Sequence, residues 1–289
     1  MADIESFSDA VAQLIFRAET HLPPDVVSFL ENAAAREEGG MGKSQMDAIL
    51  KNIGLADKKS LPLCQDTGMQ TFYVRVGAHF PFSGLIEEGI ISGVRKATEQ
   101  IPLRPNAVDP FTNRNSGDNT GAGVPIIHWE VTKGNSCEII AFPKGGGSEN
   151  CSTLKMFDPG DGMDAVKRFI ADWVVRAGGK PCPPVIVGVG IGGGADTAMK
   201  LAKKALLRKT GQNNEDAAAA GFEREVLSGI NGSGIGPMGL GGDVTALAVH
   251  VEFADRHPAS LPVGIVLQCW AARRAKLTID AAGRITYGD

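Results

Sequence analysis

Pro62-Leu-Cys64-Gln65-Asp66-Thr67-Gly68 puts a thiol, an amide and a carboxylate on three consecutive residues ahead of a tight turn. A thiolate is a soft ligand suited to iron-sulfur or zinc chemistry. Asp66 is a candidate acid or base. Gly68 lets the backbone take a positive φ, so that neighbouring groups can converge on a ligand. The segment also has a plain structural reading, because cysteines are commonly small buried hydrophobes and Asp-Thr-Gly is good turn chemistry.

Two further segments extend the pattern. Gly178-Gly-Lys-Pro-Cys182-Pro-Pro-Val-Ile-Val-Gly-Val-Gly190 sets a cysteine between prolines at the entrance to an apolar strand. Leu261-Pro-Val-Gly-Ile-Val-Leu-Gln-Cys269-Trp-Ala-Ala-Arg-Arg274 sets another at the end of one. Together with Lys144-Gly-Gly-Gly-Ser-Glu-Asn150, Arg256-His257 and the helical sequence from Asp196 to Arg208, these motifs run in an order that resembles the class I fumarases, the iron-sulfur hydro-lyases. The resemblance covers nearly the whole chain.

What it implies is a 4Fe-4S cluster held by Cys64, Cys182 and Cys269, with one iron left without a protein ligand. Such an iron acts as a Lewis acid toward substrate oxygen. Of the five cysteines, Cys137 then remains as a packing residue in a strand, and Cys151 as the competitor for a ligand position. Zinc-ribbon and ferredoxin readings fail, since the chain has no Cys-x-x-Cys pair. The resemblance also assigns a small dicarboxylate substrate and residues to handle it. Asp66 exchanges a proton, His257 contacts substrate and shares the catalytic role, Gln65 orients substrate, Arg104 grips a carboxylate through its planar fork, and Gly147 offers a backbone N–H. Arg273 and Arg274, just after the third cysteine, complement the cluster's charge. His128 and His250 sit in strand patterns and read as structural.

The reaction so implied is reversible addition of water to fumarate. L-tartrate dehydratase, whose α subunit shares the Cys-Gln-Asp-Thr-Gly and Cys-Pro-Pro motifs, is the alternative. An iron-sulfur oxygen or redox sensor is a reading of another class, and it would lack Asp66, Arg104 and His257. Single-chain members of the family carry a further C-terminal domain with substrate contacts. This chain resembles only the cluster-binding part, so a separate β subunit in an α2β2 assembly is expected.

Length and composition frame these expectations. At 289 residues with a net charge of −4 and both signs interspersed, the chain lacks the basic stripe of a nucleic-acid surface. The longest apolar run, Val185 to Ile191, is too short to span a bilayer. An odd number of cysteines and an acidic N-terminus suggest a reducing, cytoplasmic setting. No charge run, repeat or polar linker divides residues 1–289, which read as one domain.

The elements that must position these residues follow from periodicity. Ser8 caps a first helix, Asp25 starts a second, and a third runs from about Lys43. Thr71–Val76 is a strand, with Cys64 on the loop before it, and Leu85–Gln100 is a helix. Ile126–Thr132 and Glu138–Phe142 read as neighbouring strands joined by Lys133–Ser136. After a helix at Asp164–Val175 and the Val185 strand come helices at Asp196–Arg208 and Glu215–Leu227. Strands at Val244–Phe253 and Val263–Leu267 and a hairpin over Lys276–Tyr287 complete an α+β fold of mixed β-sheets surrounded by helices. Gly188-Val-Gly190-Ile-Gly-Gly193 satisfies G-x-G-x-x-G, yet no second strand ending in an acidic residue follows. This is not a complete Rossmann unit. Gly42-Lys43-Ser44 imitates the end of a phosphate loop but has Glu37 where the first glycine belongs.

Overall fold

The structure is a computed structural model that describes residues 3–288; Met1, Ala2 and Asp289 lie outside the described residues. The backbone groups into two compact units. One takes the chain up to Pro23, Asn52–Gly146 and the chain from Arg273, and the other takes Pro24–Lys51 and Gly147–Ala272.

In the first unit, α1 (Ile4–Thr20) packs on α4 (Ile86–Gln100). Helix α1 starts at Asp3, whose carboxylate accepts the Ser6 N–H at 2.8 Å. The expected cap, Ser8, lies inside the helix and donates to the Ile4 carbonyl instead. Phe7, Val11, Leu14, Ile15 and Ala18 form its buried stripe, and removing each large member from water contributes roughly 1.5–3 kcal/mol. Helix α4 approaches closely because it offers glycine there: a Cβ at Gly93 would stand 2.6 Å from Val11, and one at Gly89 would strike the Phe7 ring.

The helices cover a five-stranded mixed sheet built from β1 (Thr71–Gly77), β2 (Ile126–Thr132), β3 (Cys137–Ala141), β8 (Ala275–Ile279) and β9 (Ile285–Gly288), in the order β2-β1-β3-β8-β9. Strands β2 and β3 are therefore not neighbours. Strand β1 lies between them, parallel to β2 and antiparallel to β3. The Lys133–Ser136 turn accepts hydrogen bonds from the end of β1 and the residues after it, as Gly77 N–H donates to the Ser136 carbonyl and His79 N–H to the Gly134 carbonyl. The closing hairpin β8–β9 forms as expected.

The second unit holds a four-stranded mixed sheet. Its strands are β4 (Thr153–Phe157), β5 (Val185–Gly193), β6 (Ala246–Arg256) and β7 (Leu261–Gln268), in the order β4-β7-β5-β6. Only β5 and β6 run parallel; β7 is antiparallel to both β5 and β4. Helices α2 (Pro24–Arg36), α5 (Gly146–Glu149), α6 (Gly162–Ala177), α7 (Ala195–Ala205) and α8 (Ala217–Asn231) accompany it. Helix α3 (Gly40–Lys59) belongs partly to each unit. Lys43 and Ser44 lie in its first turns, with Lys43 donating to the Ala34 carbonyl and Ser44 to that of Gly40.

The glycines of the G-x-G-x-x-G match serve packing. A Cβ on Gly188 or Gly190 would collide with the α7 backbone at Ala202 and Ala198, and one on Gly264 of β7 would stand 2.8 Å from the Ala198 carbonyl oxygen. The α7 helix thus sits tightly on β5 and β7, in a sheet without the parallel order of a dinucleotide fold.

Candidate active site

Asp66 sits half-buried on the turn before β1, between exposed Gln65 and buried Thr67. Its two carboxylate oxygens are separately held: Oδ1 accepts Gly68 N–H at 3.0 Å and Oδ2 accepts Gly146 N–H at 2.9 Å. The turn closes against Lys144, which exchanges backbone hydrogen bonds with Met69 at 2.9 and 3.0 Å. Gly68 is required there, since its φ is +75° and a Cβ would lie 2.7 Å from the Lys144 carbonyl carbon. Gly145 faces Asp66 at a place where a Cβ would stand 3.1 Å from Oδ2.

Arg104 joins this group through the backbone. Its N–H donates to Thr67 Oγ1 at 3.1 Å, and its side chain is exposed. Asn106, which sequence reasoning passed over, reaches back to the same turn with Nδ2 at 2.9 Å from the Gly68 carbonyl. Cys64, Gln65, Asp66 and Arg104 thus belong to one small region of the first unit.

The second unit gathers the other two cysteines. Cys182 precedes β5, Cys269 follows β7, and because β5 and β7 are antiparallel with Ile186 opposite Gln268, both fall at one end of the sheet. Trp270 N–H donates to the Cys182 carbonyl at 3.2 Å and ties the two segments together. Cys182 has φ of +56°, a left-handed conformation that costs a non-glycine residue about 1–2 kcal/mol. The surrounding glycines allow it: Met238 N–H donates to the Pro183 carbonyl at 2.8 Å, and a Cβ on Gly179 would stand 2.8 Å from the Met238 carbonyl oxygen. The loop carrying Met238 is anchored by buried Glu37, whose Oε1 accepts the N–H groups of Asp243 and Val244 at 2.9 and 2.8 Å. Glu37 is a second residue that its own neighbourhood in the sequence does not mark.

Gly147 lies exposed on α5, where a Cβ would stand 3.5 Å from the Lys180 carbonyl oxygen. Glu149 of the same helix pairs with Lys203 of α7 at 2.5 Å. His257 is elsewhere. It lies on the exposed turn between β6 and β7, with Nδ1 accepting Ala259 N–H at 3.1 Å. Strand β7 separates it from Cys269, which is about 25 Å at ~3.3 Å per residue.

The five cysteines divide by environment. Cys64, Cys182 and Cys269 are half-buried on turns, whereas Cys137 and Cys151 are buried. Cys137 packs in the first unit's core with its thiol pushed up to about 12 by burial. That suits an inert packing residue, since a thiolate is the ligand form. Cys151 packs in the other core, its thiol 3.5 Å from the Gly147 carbonyl oxygen. Among the described residues, no three His, Cys, Asp or Glu side chains are gathered to hold a single metal ion. Cysteine thiolates would be the ligands of an iron-sulfur group, a class of site distinct from a single bound ion. Three accessible thiols held on constrained turns are a donor set that suits an iron-sulfur group.

His250 is buried, its ring 3.2 Å from the Ala205 carbonyl oxygen, and His128 stacks on Tyr73, so both have the structural surroundings expected of them. Arg273 is fully buried beneath the Asp66 turn. No helix among the described residues is long and apolar enough to cross a membrane.

The family model for fumarate hydratase (Fumerase) matches residues 8–278. The chain belongs to this family and is an iron-sulfur hydro-lyase of the class I fumarate hydratase type, a carbon–oxygen lyase. It is similar to the putative L(+)-tartrate dehydratase subunit alpha of Methanocaldococcus jannaschii, with 49% identity over 280 residues covering 95% of this chain and 98% of that one. It is also similar to the L(+)-tartrate dehydratase subunit alpha of Escherichia coli strain K12, with 36% identity over 279 residues covering 96% and 92%. The corresponding subunit of Shigella sonnei matches equally well.

Proposed function

We propose that this chain is the α subunit of an L-tartrate dehydratase, working with a separate β subunit. The observation that carries the reading is the near end-to-end similarity to chains named as L(+)-tartrate dehydratase α subunits. It favours tartrate over fumarate, which the motifs by themselves put first. The two reactions share their chemistry: a hydroxyl leaves one carbon of a dicarboxylate and a proton leaves its neighbour. Tartrate adds only a second hydroxyl.

The proposed cofactor is a 4Fe-4S cluster on Cys64, Cys182 and Cys269, which when bound supplies Lewis-acid stabilisation of the departing hydroxyl. The chain's own residues supply the rest. Asp66, with each oxygen aimed by a backbone N–H, takes or returns the substrate proton. Arg104 extends from the same turn region into solvent and binds a carboxylate in bidentate fashion. Gln65, exposed beside Asp66, orients the substrate, and Gly147 offers an N–H where no side chain obstructs approach.

His257 has a particular place in this reading. It stands one strand length from Cys269 in its own unit, so it reaches substrate only at the cluster of a second copy. An α2β2 assembly supplies that copy.

The test is anaerobic reconstitution of the chain with and without its β partner, assayed for water loss from L-tartrate and for fumarate hydration. The reading expects activity only from the assembled pair, with the higher kcat/KM on L-tartrate. A higher value on fumarate would return fumarate hydratase to first place.

A further inference from the structure

Beneath the Asp66 turn lies a buried ion pair that the reaction as described does not use. Glu19 and Arg273 are 0% and 1% exposed, with Oε2 and Nη1 at 2.6 Å. Replacing a buried ion pair with apolar residues is often neutral or even stabilising, so stability alone is a weak reason for this one. Several of its contacts go to one segment. Arg273 Nη2 donates to the Asp66 carbonyl at 2.9 Å, Gln70 Nε2 donates to Glu19 Oε1 at 3.0 Å, and Leu63 N–H donates to the Glu19 carbonyl at 2.8 Å. Residue 19 therefore holds the segment at Leu63 and Gln70 directly, and at Asp66 through Arg273.

We propose that Glu19 and Arg273 are positioning residues that fix the backbone of the Asp66 turn and so aim its carboxylate. The inference rests on the acid/base role given to Asp66 above. Arg273 supplies a planar fork with one branch for Glu19 and the other for Asp66, an arrangement that lysine does not reproduce. Glu19 keeps the guanidinium from turning toward other acceptors. Burial pushes the Glu19 carboxyl above its ordinary range, while Arg273 and Gln70 act in the opposite direction. Arg273 and Gln70 are thus the groups that offset the cost of burying the Glu19 carboxylate. The turn they support carries the one carboxylate held by both Gly68 and Gly146 N–H groups. A shift of about 1 Å in such a group can cost on the order of a hundredfold in rate.

The experiment uses the enzyme assembled with its β partner and three variants: Arg273→Lys, Arg273→Met, and the double variant Glu19→Leu/Arg273→Met. Arg273→Lys should lower kcat by roughly tenfold or more with KM little changed and cluster absorbance intact. Arg273→Met leaves Glu19 buried without its partner and should lower the Tm. The double variant should recover the Tm but not kcat. Amide exchange at Gly68 and Gly146, measured on the full chain, should be faster in it than in wild type. Recovery of kcat together with Tm, or unchanged exchange at both amides, would overturn the positioning role. If the wild-type assembly turned over neither L-tartrate nor fumarate, the hydro-lyase reading would fail by itself, and amide exchange would still decide whether the pair holds the turn.

Discussion

The Asp66 turn of the first unit and the Cys182 turn of the second each depend on a buried glutamate, yet the two are held in different ways. Glu19 acts through charge and side chains, pairing with Arg273 and reaching Asp66 by way of the guanidinium. Glu37 acts through backbone alone, accepting two N–H groups of a glycine-rich loop that in turn supports Pro183 beside Cys182. In the reading proposed above, the first arrangement aims the carboxylate that handles the proton. In the same reading, the second presents a thiol, whose sulfur needs a place more than a direction. The difference teaches that a turn can be held through a buried ion pair or through backbone N–H groups on one carboxylate, in neither case by residues adjacent in sequence.

The sharpest way to break this comparison is to remove the thiols. Serine in place of Cys64, Cys182 or Cys269 should abolish the brown absorbance of the anaerobically reconstituted chain. Cys137→Ser and Cys151→Ser should keep it. Loss of colour in Cys151→Ser with retention in Cys182→Ser would reverse the assignment.

Arg104→Ala comes next in size. It deletes a charge-assisted contact present in the ground state as well as later, worth about 1.5–3 kcal/mol, so KM should rise roughly 10- to 150-fold with less change in kcat. Lysine should rescue it only in part. Steady-state kinetics that found KM unaltered would remove the clamp.

Glu37 should show the smallest effect, and one of another kind. Glu37→Ala leaves the buried Val244 N–H and the Asp243 N–H without their acceptor and should cost about 1–3 kcal/mol of stability, read as a lower denaturation midpoint. Glu37→Gln retains a carbonyl oxygen and should lose less. Equal losses in the two variants would mean that the loop's packing, and not its anchor, holds the Cys182 turn.

Much of this architecture is legible in the sequence, and the gaps have physical causes. Helices such as α6 and α8 and strands such as β5 and β7 carry strong local patterns and form within a few residues of their expected bounds. The order of β2 and β3 was not legible. The Lys133–Ser136 turn signal is local, whereas the insertion of β1 between them depends on residues far back in the chain. Strand β4 is weakly marked in the sequence because it is only five residues long and its apolar Leu154 and Met156 are exposed on an edge strand.

Cys64 and Asp66 stand out from their own segment. Glu19 and Glu37 do not, since the groups they hold lie far off in the chain, at separations of 51 and 254 for Gln70 and Arg273 and 206 for Asp243. Candidate reactive residues are easier to read than their supports, because reactive residue types advertise themselves and buried anchors do not.

The most direct test of the account is Asp66→Asn in the enzyme assembled with its β partner, measured for cluster absorbance and steady-state kinetics on one preparation. Asparagine keeps the shape and the acceptor for one of the two N–H groups but cannot take a proton. The account predicts an intact cluster, a modest change in KM and a fall in kcat on the order of 10²–10⁴-fold. A near wild-type kcat would contradict it, because the turn would then be a fold element with no part in the chemistry.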